Sequence, residues 1–440
     1  MEICKYPSED KWPALLSRPE TDGREIAKAA REIMDLVRKE GDSAVRELTA
    51  RFDGYKGDLR VSLEEIAAAE GRVAEDLKQA IETAGANIRR FHEAQDSPDI
   101  ELETFPGVVC GTRKVPIAKV GIYVPGGTAP LFSTVMMLAI PANIAGCREI
   151  AMCTPPGPDG SVHDAILYAA KRFGVTDVFR IGGAQAVAAM AYGTETVPKV
   201  DKIFGPGNRY VTAAKMLAAA EGAAIDMPAG PSEVAVIADG SSDPRFVAAD
   251  LLAQAEHGTD SQVMLITDSG DVARKVNEEI EKQIAALPRR DIAAGALENS
   301  RAVVLTSIGE AVRFANEYAA EHLIISTEDA DAVAEDVTCA GSVFIGKYSC
   351  ESAGDYASGT NHTLPTNGFA RAFSGVSLDS FRKQITYQKI SAEGILGLGP
   401  FIETLAEAEE LAAHRNAVTV RIKEARGRLA KGAGGKEDAG

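Results

Sequence analysis

Lys119–Val124 reads KVGIYV, Pro125–Gly127 reads PGG, and Leu131–Ile144 reads LFSTVMMLAIPANI. A short β-branched run, a glycine turn and a long apolar stretch, in that order, predict a buried strand feeding a helix. The unit then recurs toward the C-terminus. Strand Glu149–Cys153 is followed by helix Val162–Phe173, strand Asp177–Ile181, helix Ala184–Tyr192, strand Lys202–Phe204 and helix Tyr210–Ala220. A second series comprises helix Pro244–Glu256, strand Gln262–Thr267, helix Asp271–Ala286, strand Ala302–Thr306, helix Ile308–Ala320 and strand Leu323–Ser326. Parallel strands need helical crossovers, so the alternation predicts an α/β fold of two Rossmann-like doubly wound modules with parallel sheets.

Toward the N-terminus, Asp22 with Glu25 forms a capping-box-like start. Ile26, Ala30, Ile33 and Val37 then recur at helical spacing, and Gly41 closes the helix. Ser62 with Glu65 opens another, and residues 75–95 continue as helix. Beyond Gly375 the strand signal ends: Ser380–Tyr387 and Pro400–Arg415 read as helices, and GRLAKGAGGKEDAG as a frayed tail. The organisation implied is an N-terminal arm (1–21), a discontinuous first Rossmann-like domain (22–121 and 237–375), a second such domain (122–236) and a helical tail (376–440).

The chain has 440 residues, 45% hydrophobic and 25% charged, which fits a globular protein of two or more domains. A formal charge of −17 argues against nucleic acid or an anionic membrane surface as partner. The start, MEICKYPSEDKWPALL, lacks the basic and apolar regions of a signal peptide, and Pro141 interrupts the best apolar run. Cys4, Cys110, Cys147, Cys153, Cys339 and Cys350 form no CxxC pair. Those features are consistent with a reducing cytoplasm, or a plastid-like compartment after removal of a transit peptide.

Chemistry concentrates around few histidines, six in all. Gln254 and His257 in QAEHG stand three apart at a helix end, so both side chains point the same way. With Asp355 and His414 they make two imidazoles, a carboxylate and an amide oxygen, a set suited to zinc or a similar divalent ion. Taken alone, Asp355 reads equally as an Asx turn in GDYASGTNHTLP, and His414 as an exposed helix residue. Glu321-His322 sits where a helix runs into a strand. It can divide two proton transfers, or His322 can simply cap the helix. His92 and His163 read as surface or capping positions. The turns YVPGG (Tyr123–Gly127), IGGAQA (Ile181–Ala186) and FGPGN (Phe204–Asn208) each follow a strand and open a helix, where a pyrophosphate could meet backbone amides. None is GxGxxG, and no P-loop is present.

VGIYVPGGTAPLFSTVMMLAIPANIAG, GPGNRYVTAAK, IDMPAGPSEVAVIAD, LLAQAEHGTDSQVMLIT, NEYAAEHLII, ESAGDYASGTNHTLPT and EELAAHRNAVTVR resemble blocks of the histidinol dehydrogenase family. The resemblance runs from about Ala27 to Arg421. It implies oxidation of L-histidinol through a bound aldehyde to L-histidine, the last two steps of histidine biosynthesis, with two NAD and one zinc per site. By resemblance Gln254, His257, Asp355 and His414 are zinc ligands, His414 coming from the partner subunit of a homodimer. Glu321 and His322 match the acid–base pair. Ser232, Glu409 and His362 fall at or beside substrate-contacting positions, as do the zinc ligands and His322. Tyr123, Gln185 and Asn208 match the NAD-lining positions. The alternatives are a related dehydrogenase for another polar alcohol such as a sulfonated propanediol, a zinc hydrolase, and an inactive binding protein.

Overall fold

A computed structural model describes residues 1–19, 23–126, 129–157, 159–228 and 230–434. The Asp22 cap and Gly127 of the YVPGG turn therefore lie outside the described residues. The chain divides into two units, Met1–Gln95 with Ile117–Phe381, and Asp96–Pro116 with Arg382–Gly440.

The first unit carries both parallel sheets. One has five strands, in the order Asp177–Arg180, Glu149–Thr154, Lys119–Tyr123, Lys202–Phe204, Ala224–Ile225. The other has six, in the order Glu2–Lys5, Arg301–Val304, Gln262–Thr267, Glu233–Ala238, His322–Ser326, Ser342–Ile345. Every residue of the central strands Glu233–Ala238 and Gln262–Thr267 is buried, as parallel sheets covered on both faces require. That burial makes both strands largely apolar; Gln262–Thr267 is the strand expected from the sequence, whereas Glu233–Ala238 is an addition to the expected series. The N-terminal arm supplies an edge strand, Glu2 to Lys5 pairing in register with Arg301 to Val304.

The Ser62 cap forms as expected, its hydroxyl accepting the Glu65 N–H at 3.1 Å. Helix Phe132–Ala145 is apolar on every face because it is buried nearly all round. Among the described residues, no helix is long and apolar enough to cross a membrane.

The second unit corrects two helix expectations. Arg382–Ile390, read partly as helix, is a strand, paired antiparallel with Val108–Pro116, which also pairs with Ile100–Phe105. Its residues are mostly exposed, so no core face marks its period of two. Pro400–Arg415 is not one helix: Ala392–Ala408 ends before Glu410, whose φ is 59°, and Ala412–Gly434 begins after it.

Candidate active site

Helix Ile308–Tyr318 ends on Ala319, a left-handed residue at φ 52°, and strand His322–Ser326 starts three residues later. His322 is therefore the first residue of a strand and does not cap the helix. Its register is fixed on both sides, against Val234 and Ser342. A Cβ at position 341 would stand 2.5 Å from the Glu321 carbonyl oxygen, so only glycine lets the neighbouring strand close on the pair. The couple thus lies at the amino ends of the six-stranded sheet.

His322, 3% exposed, has its Nε2 3.4 Å from Asp355 Oδ1 and its Nδ1 3.8 Å from Glu321 Oε2. Asp355 belongs to a short helix, Glu351–Tyr356, rather than to the free loop expected. Ligand atoms of His257, Glu351 and Asp355 all lie within 4.8 Å of one another. Gln254, in helix Pro244–Ala255, is fully buried, and neither atom of its amide has a hydrogen-bond partner. Glu351 is equally enclosed, with both oxygens unpartnered. Burying such groups unpaired is unfavourable, and a cation would satisfy them. Imidazole, carboxylate and amide oxygen are a donor set that fits zinc or a similar ion. Glu351 is the residue sequence reasoning missed. Its signal was present, since Glu351 and Asp355 are four apart and share a helix face.

The carboxylates dominate the electrostatics. Burial alone would lower the His322 pKa, but Glu351, Glu321 and Asp355 overcome it and push the imidazole up to about 10. Burial pushes Glu321 up to about 8, against the pull of His322 and a hydrogen bond from the Glu233 N–H at 2.9 Å. Asp355 is held below the usual carboxylate range despite burial, by its contact with His322. A divalent cation among these groups would draw the proton affinity of His322 back down.

A proline explains how the loop before His362 is anchored. Pro141, inside helix Phe132–Ala145, has no N–H to give the Met137 carbonyl. Asn361 Nδ2 donates to that carbonyl instead, at 2.6 Å, and lies 3.3 Å from His92 Nε2. Asn361 Oδ1 accepts the Thr363 N–H at 3.0 Å, fixing the backbone on either side of His362. His92 is consequently a fully buried structural residue, a correction of its surface reading; its Nδ1 contacts the Ile88 carbonyl oxygen at 2.8 Å. His163 is a helix cap, accepting the Ala165 N–H.

A cavity of about 870 Å³ is lined by Gly205–Asn208, Ser232, His257, Glu321 and His362. The FGPGN turn lies at the carboxyl end of Lys202–Phe204. There Gly205, φ +121°, packs where a Cβ would meet the Tyr123 carbonyl oxygen at 2.1 Å. The buried pair Lys215–Asp226 clamps it: Lys215 Nζ donates to the Gly205 carbonyl and Asp226 Oδ2 accepts its N–H, each at 2.8 Å. Asn208 caps helix Arg209–Ala220. Tyr123 and Gln185 are both buried and meet at another glycine turn: the Tyr123 hydroxyl accepts the Gly183 N–H, and Gln185 Oε1 would lie 2.8 Å from a Cβ on Gly183. Glu409 and His414 belong to the second unit, where both are exposed.

Glu321, next to the buried His322, opens with His257 on a cavity that also carries a strand-end glycine turn, an arrangement that fits an enzyme of the dehydrogenase class. The family model for histidinol dehydrogenase matches residues 16–422. The chain is 57% identical to the Bacteroides thetaiotaomicron histidinol dehydrogenase over 96% of this chain and 99% of that one. It is 54% identical to the Escherichia coli enzyme over 93% and 94%. It matches the crystal structure of the Elizabethkingia anophelis histidinol dehydrogenase with TM-score 0.94 and 51% identity, covering 96% of this chain and 98% of that one. The chain belongs to the histidinol dehydrogenase family, and is an NAD-dependent oxidoreductase of histidine biosynthesis.

Proposed function

We propose that the protein oxidises L-histidinol to L-histidine at a single site in two successive two-electron steps, with L-histidinaldehyde held between them. The reading rests chiefly on His322, buried between Glu321 and Asp355 in one constellation. Removing a hydride from an alcohol carbon needs a base for the hydroxyl proton, and His322, once its own proton is displaced, takes it. Water must then add to the aldehyde. Glu321, in its ionised form, accepts a proton from that water as the carbon–oxygen bond forms, while protonated His322 returns its proton to the aldehyde oxygen. The freed His322 then accepts a hydroxyl proton of the resulting diol as the second hydride departs to NAD.

Gln254, His257 and Asp355, with His414 of the partner subunit in a homodimer, would hold zinc; the unpartnered amide of Gln254 supports this. Bound zinc supplies a positive anchor for the substrate's imidazole and amine, and NAD supplies the hydride acceptor. Tyr123, Gln185 and Asn208 would line the NAD. Ser232, His362 and Glu409 would contact substrate, the Glu409 carboxylate being suited to an ammonium group. Fixing the alcohol carbon in this way contributes on the order of 7–11 kcal/mol at best. We place the enzyme in the cytoplasm. Counting NADH formed per L-histidinol tests the assignment. Two are expected, and no turnover of histidinol, or turnover of a sulfonated propanediol in its place, overturns it.

A further inference from the structure

Arg18 lies in the N-terminal arm, remote in sequence from the residues assigned above, yet it lines the same cavity as Ser232, His257 and Glu321. Its guanidinium forks onto Glu233, Nε reaching Oε1 and Nη2 standing 2.8 Å from Oε2. Nη2 also donates to the Tyr318 carbonyl at 2.7 Å, and the cation sits over the Tyr318 ring, 4.3 Å from its centroid. Both partners lead to Glu321. Glu233, 2% exposed, opens the strand whose first backbone N–H donates to Glu321 Oε2, and its side chain also accepts the Asn367 N–H at 3.0 Å. Tyr318 is the last residue of the helix whose left-handed exit at Ala319 delivers Glu321 to the site.

We propose that Arg18 is a positioning residue for Glu321, fixing through Glu233 and Tyr318 the carboxylate that activates water in the second oxidation. A planar fork suits this task, because it ties a strand start and a helix end together with one side chain. A buried carboxylate deprived of its guanidinium is strongly destabilised, so the start of the strand loosens when Arg18 is lost. His322 shares the Val234 register with that strand, but its ring is held by Asp355 and its other register partner, Ser342, is no part of the fork. The alcohol step therefore depends on Arg18 far less than the water step does. The inference rests on the function proposed above.

The test assays the two steps separately on full-length protein. L-histidinol with an aldehyde trap reports the first, and supplied L-histidinaldehyde reports the second. Arg18→Met should slow the second step about 30- to 100-fold and the first by no more than about threefold, the signature of a misplaced group used in one step only. Arg18→Lys keeps the charge without the fork and should fall between. Arg18→Met combined with Glu233→Gln removes the stranded carboxylate, so it should melt like the parent while keeping the selective loss. Equal loss in both steps among folded variants, or loss in neither, overturns the proposal. A parent enzyme forming NADH from neither substrate would instead overturn the functional reading beneath it.

Discussion

Asn361→Ala should destabilise the first unit by about 3 kcal/mol, since three buried groups lose a partner at about 1 kcal/mol or more each. They are the Met137 carbonyl, the His92 ring nitrogen and the Thr363 N–H. The Met137 carbonyl is stranded only because Pro141 offers it no donor. Pro141→Ala returns an N–H to that position, and the gain should be larger when Asn361 is absent than when it is present. A double-mutant cycle cancels the change in helix propensity and isolates the coupling, expected at about 1–2 kcal/mol. The assay is equilibrium urea unfolding of the four proteins, compared at unchanged slope. Additivity within about 0.3 kcal/mol would refute the claim that the amide substitutes for the missing helix bond.

His322→Asn should fold and bind zinc normally while losing about 100- to 10,000-fold of activity in both oxidations, and near-parental rates would remove it as the base. Glu321→Gln should spare aldehyde formation relative to acid formation, as a quench that traps aldehyde would report. Mixing His414→Ala with Asp355→Ala subunits should regenerate one intact site per heterodimer; verified heterodimers without activity would count against a shared site. Burial holds the folded His92 below its usual value of 6.5. The unfolded chain therefore binds the proton more readily, and stability should fall as pH drops from about 6.5 toward the depressed folded value. His92→Gln should flatten part of that decline in melting experiments between pH 5 and 8, roughly the range in which histidine titrates.

Most of the alternation from Lys119 to Ser326 is legible because parallel strands buried on both faces are rich in apolar residues, and glycine turns separate them from their helices. Ala224–Ile225 and Glu233–Ala238 escape, since no helix pattern separates them from one another. Arg382–Ile390 is hidden by its exposure, which leaves it no apolar face to announce a strand. Glu2–Lys5 and Ser342–Ile345 escape as short edge strands of four residues each, and the partner of the first, Arg301–Val304, lies far along the chain. Charged residues are harder still. Arg18, Glu233 and Glu351 look in sequence like any solvated side chain, and only long-range packing buries them. His92 reads as a surface residue because its partner, Asn361, is 269 positions away. Gln254, His257, Glu321 and His322 draw attention by contrast, since each pair is adjacent or only three residues apart, Gln254 in the last turn of its helix and His257 just beyond it.

The central claim is that one divalent cation sits among these donors beside the His322–Glu321 couple. Anomalous diffraction at the zinc edge from crystals of the metal-loaded enzyme measures it directly. The account predicts a single strong peak per site in contact with Gln254, His257 and Asp355, completed by His414 of the partner subunit. A peak located elsewhere, or none in enzyme that forms NADH from histidinol, would contradict it.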